Sequence, residues 1–178
     1  MAIEIFPGAV QFEFPKEIAK ETIKQVKKSK NQWQDSLVGG GAMIKHIRSS
    51  QSFHLDSLEI SENKIRPILY SCVKKYCNYY DVSINKDEGL NLLKYESYDK
   101  YEYHVDDGPG FFRTVSCLIY LNPEEYSGGG TTFKHFNYTI SPEEPSLVLF
   151  PSNYPYRHAA EPVLDGIKYI VVSWMKED

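Results

Sequence analysis

Cysteine is scarce in this chain: three in 178 residues, Cys72, Cys77 and Cys117, with no pair in CxxC spacing. A disulfide framework is thereby excluded, and all three are expected to be reduced thiols in or beside the packing. Positive charge is in deficit, with 20 Lys and Arg against 24 Asp and Glu and a net charge of −4, so there is no electrostatic footprint for nucleic acid. The cluster from Lys20 to Lys30 alternates with Ile23 and Val26 at helical spacing, which makes it the solvated face of a helix. No apolar run is long enough to span a bilayer, so no membrane partner is expected. The start, Met1-Ala2-Ile3-Glu4-Ile5, lacks the basic residues and apolar stretch of a secretory signal, which predicts a cytoplasmic protein. Repeats, low-complexity tracts and linkers are also missing, so residues 1–178 read as one domain with a sizeable core.

What is present divides the chain in two. Val10-Gln11-Phe12-Glu13-Phe14 alternates like a strand, and Pro15 then opens a helix through about Lys30, with Ile18, Ala19, Thr22, Ile23 and Val26 on one face. A turn is expected from Asn31 to Asp35, around Trp33. Gly39-Gly40-Gly41 follows as the most flexible backbone in the chain, suited to a mobile loop. Ile60 to Tyr80 reads as a second helix, in which Pro67 implies a kink or a start nearer Arg66. From Leu90 onward, short strands alternate with Gly, Pro, Asn and Asp turns. The order predicts an α+β, mainly β fold: an eight-strand double sheet, or double-stranded β-helix (jelly roll), buttressed by the two helices. Helical support would occupy about 1–85 and a β-core about 86–178.

Only five histidines are available, and three residues form a telling set: His104, Asp106 and His158. An imidazole and a carboxylate two apart on an extended strand point to one side of the backbone. A second imidazole from a distant strand can then close a three-ligand face on a metal, the arrangement of non-heme Fe(II) oxygenases. An HxD triplet alone is weak, and the chain holds a second one, His54-Leu55-Asp56. There, Asp56 or Ser57 reads better as the N-cap of the following helix. His104 instead follows a strand pattern and precedes the Asp107-Gly108-Pro109-Gly110 loop. His135, just after a Gly-rich turn, competes with His158 for the distal position. Lys168 lies within an apolar strand, Ile167 to Val172, where a lone cation needs an acidic partner.

From about Leu90 to Trp174 these residues resemble the 2-oxoglutarate- and Fe(II)-dependent dioxygenases of the prolyl 4-hydroxylase type. Tyr101-Glu102-Tyr103-His104-Val105-Asp106 resembles the family's entry to the metal site, and Gly128-Gly129-Gly130-Thr131-Thr132-Phe133 its Gly-Gly-x-Thr-x-Phe turn. Leu92-Leu93-Lys94-Tyr95 and Leu118-Ile119-Tyr120-Leu121-Asn122 resemble strands whose tyrosines reach the co-substrate. Ser146 to Pro151, then Arg157-His158, resembles the strand and turn that deliver the distal ligand, and the basic residue ten further on is Lys168, as in the collagen-type branch. Thr131 departs from a commonly acidic position, and the N-terminal half matches only loosely.

The resemblance implies Fe(II) held by His104, Asp106 and His158, and 2-oxoglutarate held by Lys168, Tyr120 and Tyr95. It also implies O2 as second co-substrate and stimulation by ascorbate. The expected reaction hydroxylates a substrate, first peptidyl proline, with release of succinate and CO2. The alternatives are the same chemistry on a free amino acid, another side chain or a small metabolite, or an inactive jelly-roll binding module. A lysine able to receive a carboxylate inside the sheet argues against the inactive module. Arg113, Tyr154, Tyr156 and Arg157 are candidate substrate contacts at the mouth of a peptide- or protein-binding site. The Arg-rich signature of the nucleotide-lesion branch is missing after His158. Residues 36–51, with their glycines flanked by Leu37, Val38, Met43 and Ile44, are expected to form a substrate-closing lid.

Overall fold

The computed structural model describes residues 2–29, 33–38 and 41–177. The expected turn residues Asn31 and Asn-flanking Gln32, and two glycines of the expected mobile loop, Gly39 and Gly40, lie outside that range. The described residues are mostly β, with two α-helices of more than ten residues: α1 (Lys16–Lys28) and α2 (Arg66–Tyr80). Pro15 precedes α1, Glu17 sits in its first turn and Lys27 and Lys28 in its last, so charge complements the helix dipole at both ends. Pro67 follows a wider helical turn, Ser61–Ile65, which loosens the i→i−4 ladder just where proline lacks an N–H. Helical backbone runs from Glu59 through Tyr80, as expected from about Ile60, and Pro67 is accommodated inside it by the wider turn rather than by a start at Arg66.

Every strand pairing is antiparallel. A large sheet of nine strands runs Ala2–Phe6, Ala9–Glu13, Ser146–Pro151, Val115–Tyr120, Lys168–Lys176, Asn91–Tyr95, Gln51–His54, Gln34–Asp35, with Lys86–Asp87 paired to the end of Lys168–Lys176. A small sheet of four runs Tyr138–Ile140, Thr131–Phe133, His158–Ala160, Tyr101–His104. This corrects the expected eight-strand double sheet. Residues before Leu90 extend the large sheet at both edges, so the N-terminal half supplies strands as well as helices.

Alternation along the central strands makes two cores. Val115, Cys117, Ile119, Leu147, Leu149, Tyr169 and Val171 join Ala19, Ile23 and Val26 of α1 and Leu69, Cys72, Val73 and Tyr76 of α2. Leu118, Tyr120, Val148, Phe150, Ile170 and Val172 join Phe133 and Ile140 of the small sheet. Strands buried on both faces read as continuous apolar runs, and parity decides which side each residue faces. Lys168 shares parity with Ile170 and Val172 and therefore points between the sheets. Cys72 and Cys117 are buried, Cys77 is half-buried, and all three are free.

The His54–Asp56 segment forms one short turn, Leu55–Ser57, and Asp56 does not cap a helix as expected. Its carboxylate accepts from the Leu90 amide, the Ser61 hydroxyl and Arg66. Arg66 also forks onto Asp87 through Nε and Nη2, each at 3.1 Å, with side-chain exposures of 14% and 6% for the pair. Arg66→Ala should therefore cost about 3 kcal/mol in denaturant unfolding at neutral pH, because it strands a buried carboxylate. Burial pushes the Asp87 carboxyl up, but Arg66, Tyr70 and the Gly89 amide outweigh it and hold it below its ordinary value. A depressed carboxyl contributes stability above the usual carboxylate range and loses it as pH falls through the folded value. The gap between wild type and Arg66→Ala should therefore narrow below about pH 4.

Candidate metal and co-substrate site

His104 ends one strand of the small sheet and His158 begins its neighbour, and the two are register partners. Their rings lie 4.4 Å apart, and Asp106, two residues on, swings its carboxylate between them. Asp106 Oδ1 is 3.4 Å from His104 Nε2, and Oδ2 is 3.7 Å from His158 Nε2. One donor atom from each of the three lies within 4.8 Å of the others, the one such cluster among the described residues. His54, His46 and His135 are exposed and stand outside it.

The imidazoles are oriented by main chain. His104 Nδ1 meets the Glu102 carbonyl at 2.9 Å and His158 Nδ1 the Tyr156 carbonyl at 3.0 Å. A carbonyl only accepts, so each Nδ1 carries the proton and each Nε2 presents a lone pair. Burial, followed by the neighbouring His104, pushes His158 down to about 4 against the opposing pull of Asp106, so it is neutral at pH 7. Burial pushes the Asp106 carboxyl up, but positive charge on the adjacent imidazoles and the Ser116 hydroxyl bond hold it below the usual carboxylate range. Both Nε2 atoms and the Asp106 carboxylate thus converge on one point. Two imidazole nitrogens and a carboxylate oxygen so placed fit a divalent metal with open positions.

A cavity of about 620 Å³ is lined by these three residues and by Lys168. Lys168 is 1% exposed, and its ammonium donates to the Gly129 carbonyl at 2.6 Å. The rings of Tyr95 and Tyr120 lie 5.1 and 5.3 Å from it, and no carboxylate among the described residues pairs with it. Burial alone pushes this lysine down to about 7. An ammonium so desolvated is a receptor for a carboxylate. Gly129 has a positive φ of 62°, and an added Cβ would come within 3.3 Å of Lys168 Cδ, which explains glycine there.

Of the residues expected at the co-substrate, Tyr95 and Lys168 line the cavity and Tyr120 does not. The Tyr120 hydroxyl donates at 2.7 Å to Thr131, which does line it, so Tyr120 meets the cavity only through Thr131. Of the four expected substrate contacts, Arg113 alone reaches the cavity wall. Its guanidinium is committed to Glu88 at 2.7 and 2.9 Å and to the Asp106 carbonyl at 3.2 Å, and lies 3.7 Å over Trp174. Tyr154 is 80% exposed, Tyr156 donates to the Pro7 carbonyl, and Arg157 donates to the Tyr103 carbonyl, all outside the lining. The sequence reading missed Arg48, whose guanidinium stacks on Tyr101, which in turn stacks on His104 with ring centroids 3.6 Å apart.

The expected lid borders the cavity through Leu37, Val38 and Gly41. Its C-terminal part is tied down: Glu102 donates to the Ile47 carbonyl at 2.8 Å, Ser49 to the Lys100 carbonyl at 3.1 Å, and Gln51 is in the large sheet. Swinging of the whole 36–51 segment would break that pairing.

Residues 90–176 match the family model of the 2OG-Fe(II) oxygenase superfamily. Over 153 residues the chain is 31% identical to a protein of Acanthamoeba polyphaga mimivirus assigned as a prolyl 4-hydroxylase, covering 75% of this chain and 60% of that protein. A PKHD-type hydroxylase of Aliarcobacter butzleri is 26% identical, over 91% of this chain and 76% of its own. Among solved structures, a Trichoplax adhaerens prolyl hydroxylase in complex with a hypoxia inducible factor peptide fragment has a TM-score of 0.76 at 18% identity, covering 95% of this chain and 83% of that one. A Pseudomonas putida prolyl-4-hydroxylase has a TM-score of 0.73 at 16% identity, over 96% and 93%. These two likenesses carry the jelly-roll fold. The chain belongs to the 2OG-Fe(II) oxygenase superfamily. Within that superfamily its relatives include prolyl 4-hydroxylases and PKHD-type hydroxylases, and the cluster of His104, Asp106 and His158 fits the family's Fe(II) and 2-oxoglutarate. It spans 60% of the length of the mimivirus relative.

Proposed function

We propose that this protein is an Fe(II)- and 2-oxoglutarate-dependent dioxygenase that hydroxylates proline in a peptide or protein. The single observation that carries the chemistry is the presence, in one cavity, of a two-imidazole, one-carboxylate face and a buried lysine that no carboxylate among the described residues pairs with. His104, Asp106 and His158 would hold the metal, and Lys168, with Tyr95 and Thr131 beside it, the far carboxylate of the co-substrate; Tyr120 orients Thr131. With both bound, metal and co-substrate couple decarboxylation of 2-oxoglutarate by O2, yielding succinate and CO2, to hydroxylation of substrate. The chain's own part is geometric. The Glu102 and Tyr156 carbonyls keep both Nε2 lone pairs turned inward, and Arg113 clamps the loop that carries Asp106. Leu37, Val38 and Leu118 give the cavity an apolar wall.

Residues of about 86–178 form the catalytic β-core in this reading, and α1 and α2 within about 1–85 act as its buttress, supported by their shared apolar core with the large sheet. No helix among the described residues is long and apolar enough to cross a membrane, and we place the protein in the cytoplasm, where a reducing medium favours ferrous iron.

The test supplies Fe(II), 2-oxoglutarate and ascorbate and measures succinate, then screens proline-containing peptides, other peptides and free amino acids by mass spectrometry for a gain of one oxygen. Succinate formation with oxygen gain on a peptide proline is expected. Absence of iron-dependent succinate defeats the enzyme reading in favour of a binding module. Succinate accompanied by oxygen gain only on another residue or a free amino acid defeats the proline assignment alone.

A further inference from the structure

Ser116 donates to Asp106 Oδ2 at 2.6 Å, the shortest contact made by any of the three metal-facing residues. Behind it, Ser152 Oγ lies 2.8 Å from Ser116 Oγ. Both serines are 1% exposed and stand on neighbouring strands of the large sheet or its immediate extension. A hydroxyl has one proton. Ser116 gives it to Asp106 Oδ2, so the Ser152 proton must then go to Ser116. The result is a directed chain, Ser152 to Ser116 to Asp106, ending in a charge-assisted bond on one named carboxylate oxygen.

The backbone around this chain is fixed. Ser152 donates its amide to the Thr114 carbonyl at 3.1 Å and accepts from the Asp107 amide at 3.0 Å. Arg113 donates its amide to Asp107 Oδ1 at 3.0 Å and its side chain to the Asp106 carbonyl at 3.2 Å. With the main chain of Asp106 clamped from both sides, the freedom that remains is rotation of its carboxylate. That rotation decides how many metal positions the residue takes: one through a single oxygen, two if both oxygens turn toward the metal.

We propose that Ser116, backed by Ser152, is a positioning residue that holds Asp106 Oδ2 off the metal, so that the carboxylate binds through Oδ1 alone and three coordination positions stay open. The inference rests on the metal assignment above, and its consequence is specific. A chelating α-keto acid fills two positions, and the third remains for O2 only if Asp106 takes one. Without the serine proton, Oδ2 regains a free lone pair beside a dication, and bidentate binding becomes the favoured state.

Mn(II) alone is the probe, because its bound waters are counted by water-proton relaxation with no turnover required. Wild type is expected to keep about three exchangeable waters. Ser116→Ala should lose one, lowering inner-sphere relaxivity by about a third, and Ser116→Thr, which restores the hydroxyl, should recover it. Ser152→Ala, which leaves Ser116 in place but removes its donor, should fall between, and it carries the test if Ser116→Ala does not fold. Unchanged hydration in a folded Ser116→Ala, or a loss that Ser116→Thr does not recover, overturns the proposal. Failure of wild type to bind Mn(II) overturns it together with the metal site. A protein that shows the hydration change but forms no succinate keeps this inference while losing the proposed function.

Discussion

His158→Ala is expected to abolish 2-oxoglutarate turnover, and His104→Ala and Asp106→Ala should do the same. Loss of one ligand from three leaves two-point binding, which cannot hold Fe(II) in a reactive geometry. Orienting partners of metal ligands alone are worth 10–100-fold in affinity or activity, so removal of a ligand should exceed about 100-fold. His54→Ala and His135→Ala serve as controls, since both side chains are exposed and neither joins the cluster. His158 itself is 5% exposed and packs 5.0 Å from Phe150 and 5.4 Å from Phe133, so its variant also leaves a void. Circular dichroism and a metal titration should therefore accompany the activity assay. A folded His158→Ala that retains full iron-dependent succinate formation would sink the ligand assignment.

The metal face was legible because its spacing obeys strand parity and because context separates two HxD triplets. His54 and Asp56 border a tight turn on the outer part of the large sheet, and Asp56 is consumed in holding Leu90 and Arg66. His104 stands across from His158 through strand pairing that only the fold supplies, although the jelly-roll pattern made a later strand the natural source of the distal ligand. Lys168 was legible for a different reason: a charge amid Ile167, Tyr169 and Ile170 has no solvent to go to. Ser116 and Ser152 carried no such signal. They lie 36 residues apart, and a serine in a strand looks the same in sequence whether its hydroxyl meets a ligand carboxylate or a carbonyl. Arg48 escaped notice similarly, because its stack on Tyr101 depends on a single bridge between segments that no periodicity links. Arg113, Tyr154, Tyr156 and Arg157 were chosen for polarity near the motif, and polarity does not say which partners a side chain has already taken. The extra strands of the large sheet were hidden because Ala2–Phe6 and Gln34–Asp35 are short edge strands, whose pairing is fixed by tertiary contact more than by pattern.

Lys168→Ala should weaken 2-oxoglutarate by roughly 2–5 kcal/mol while leaving metal affinity nearly unchanged, since it removes one partner of a desolvated, charge-assisted pair. The pH dependence gives a sharper signature. In the co-substrate-free protein burial pushes Lys168 down to about 7, whereas an unfolded chain titrates it near 10.5. Below pH 7 both states carry the proton, and the fold bears the whole cost of the buried charge. As pH rises from about 7 to 10.5 the folded protein releases the proton before the unfolded chain does, so stability should climb through that window. Lys168→Ala should melt with no such climb. A bound carboxylate restores the charge and raises the folded value, so 2-oxoglutarate binding above pH 7 must take up a proton. Its affinity should fall by as much as about tenfold per pH unit there, until the raised value of the complex is reached. Lys168→Arg keeps its charge throughout, and so should lose both slopes. It should also bind poorly, because a longer planar group must fit a space closed by Gly129, Tyr95 and Tyr120. Anaerobic calorimetry on metal-loaded protein between pH 6 and 9 reads each quantity. Unchanged 2-oxoglutarate affinity in Lys168→Ala, or a wild-type affinity flat across that range, would place the carboxylate anchor at another residue.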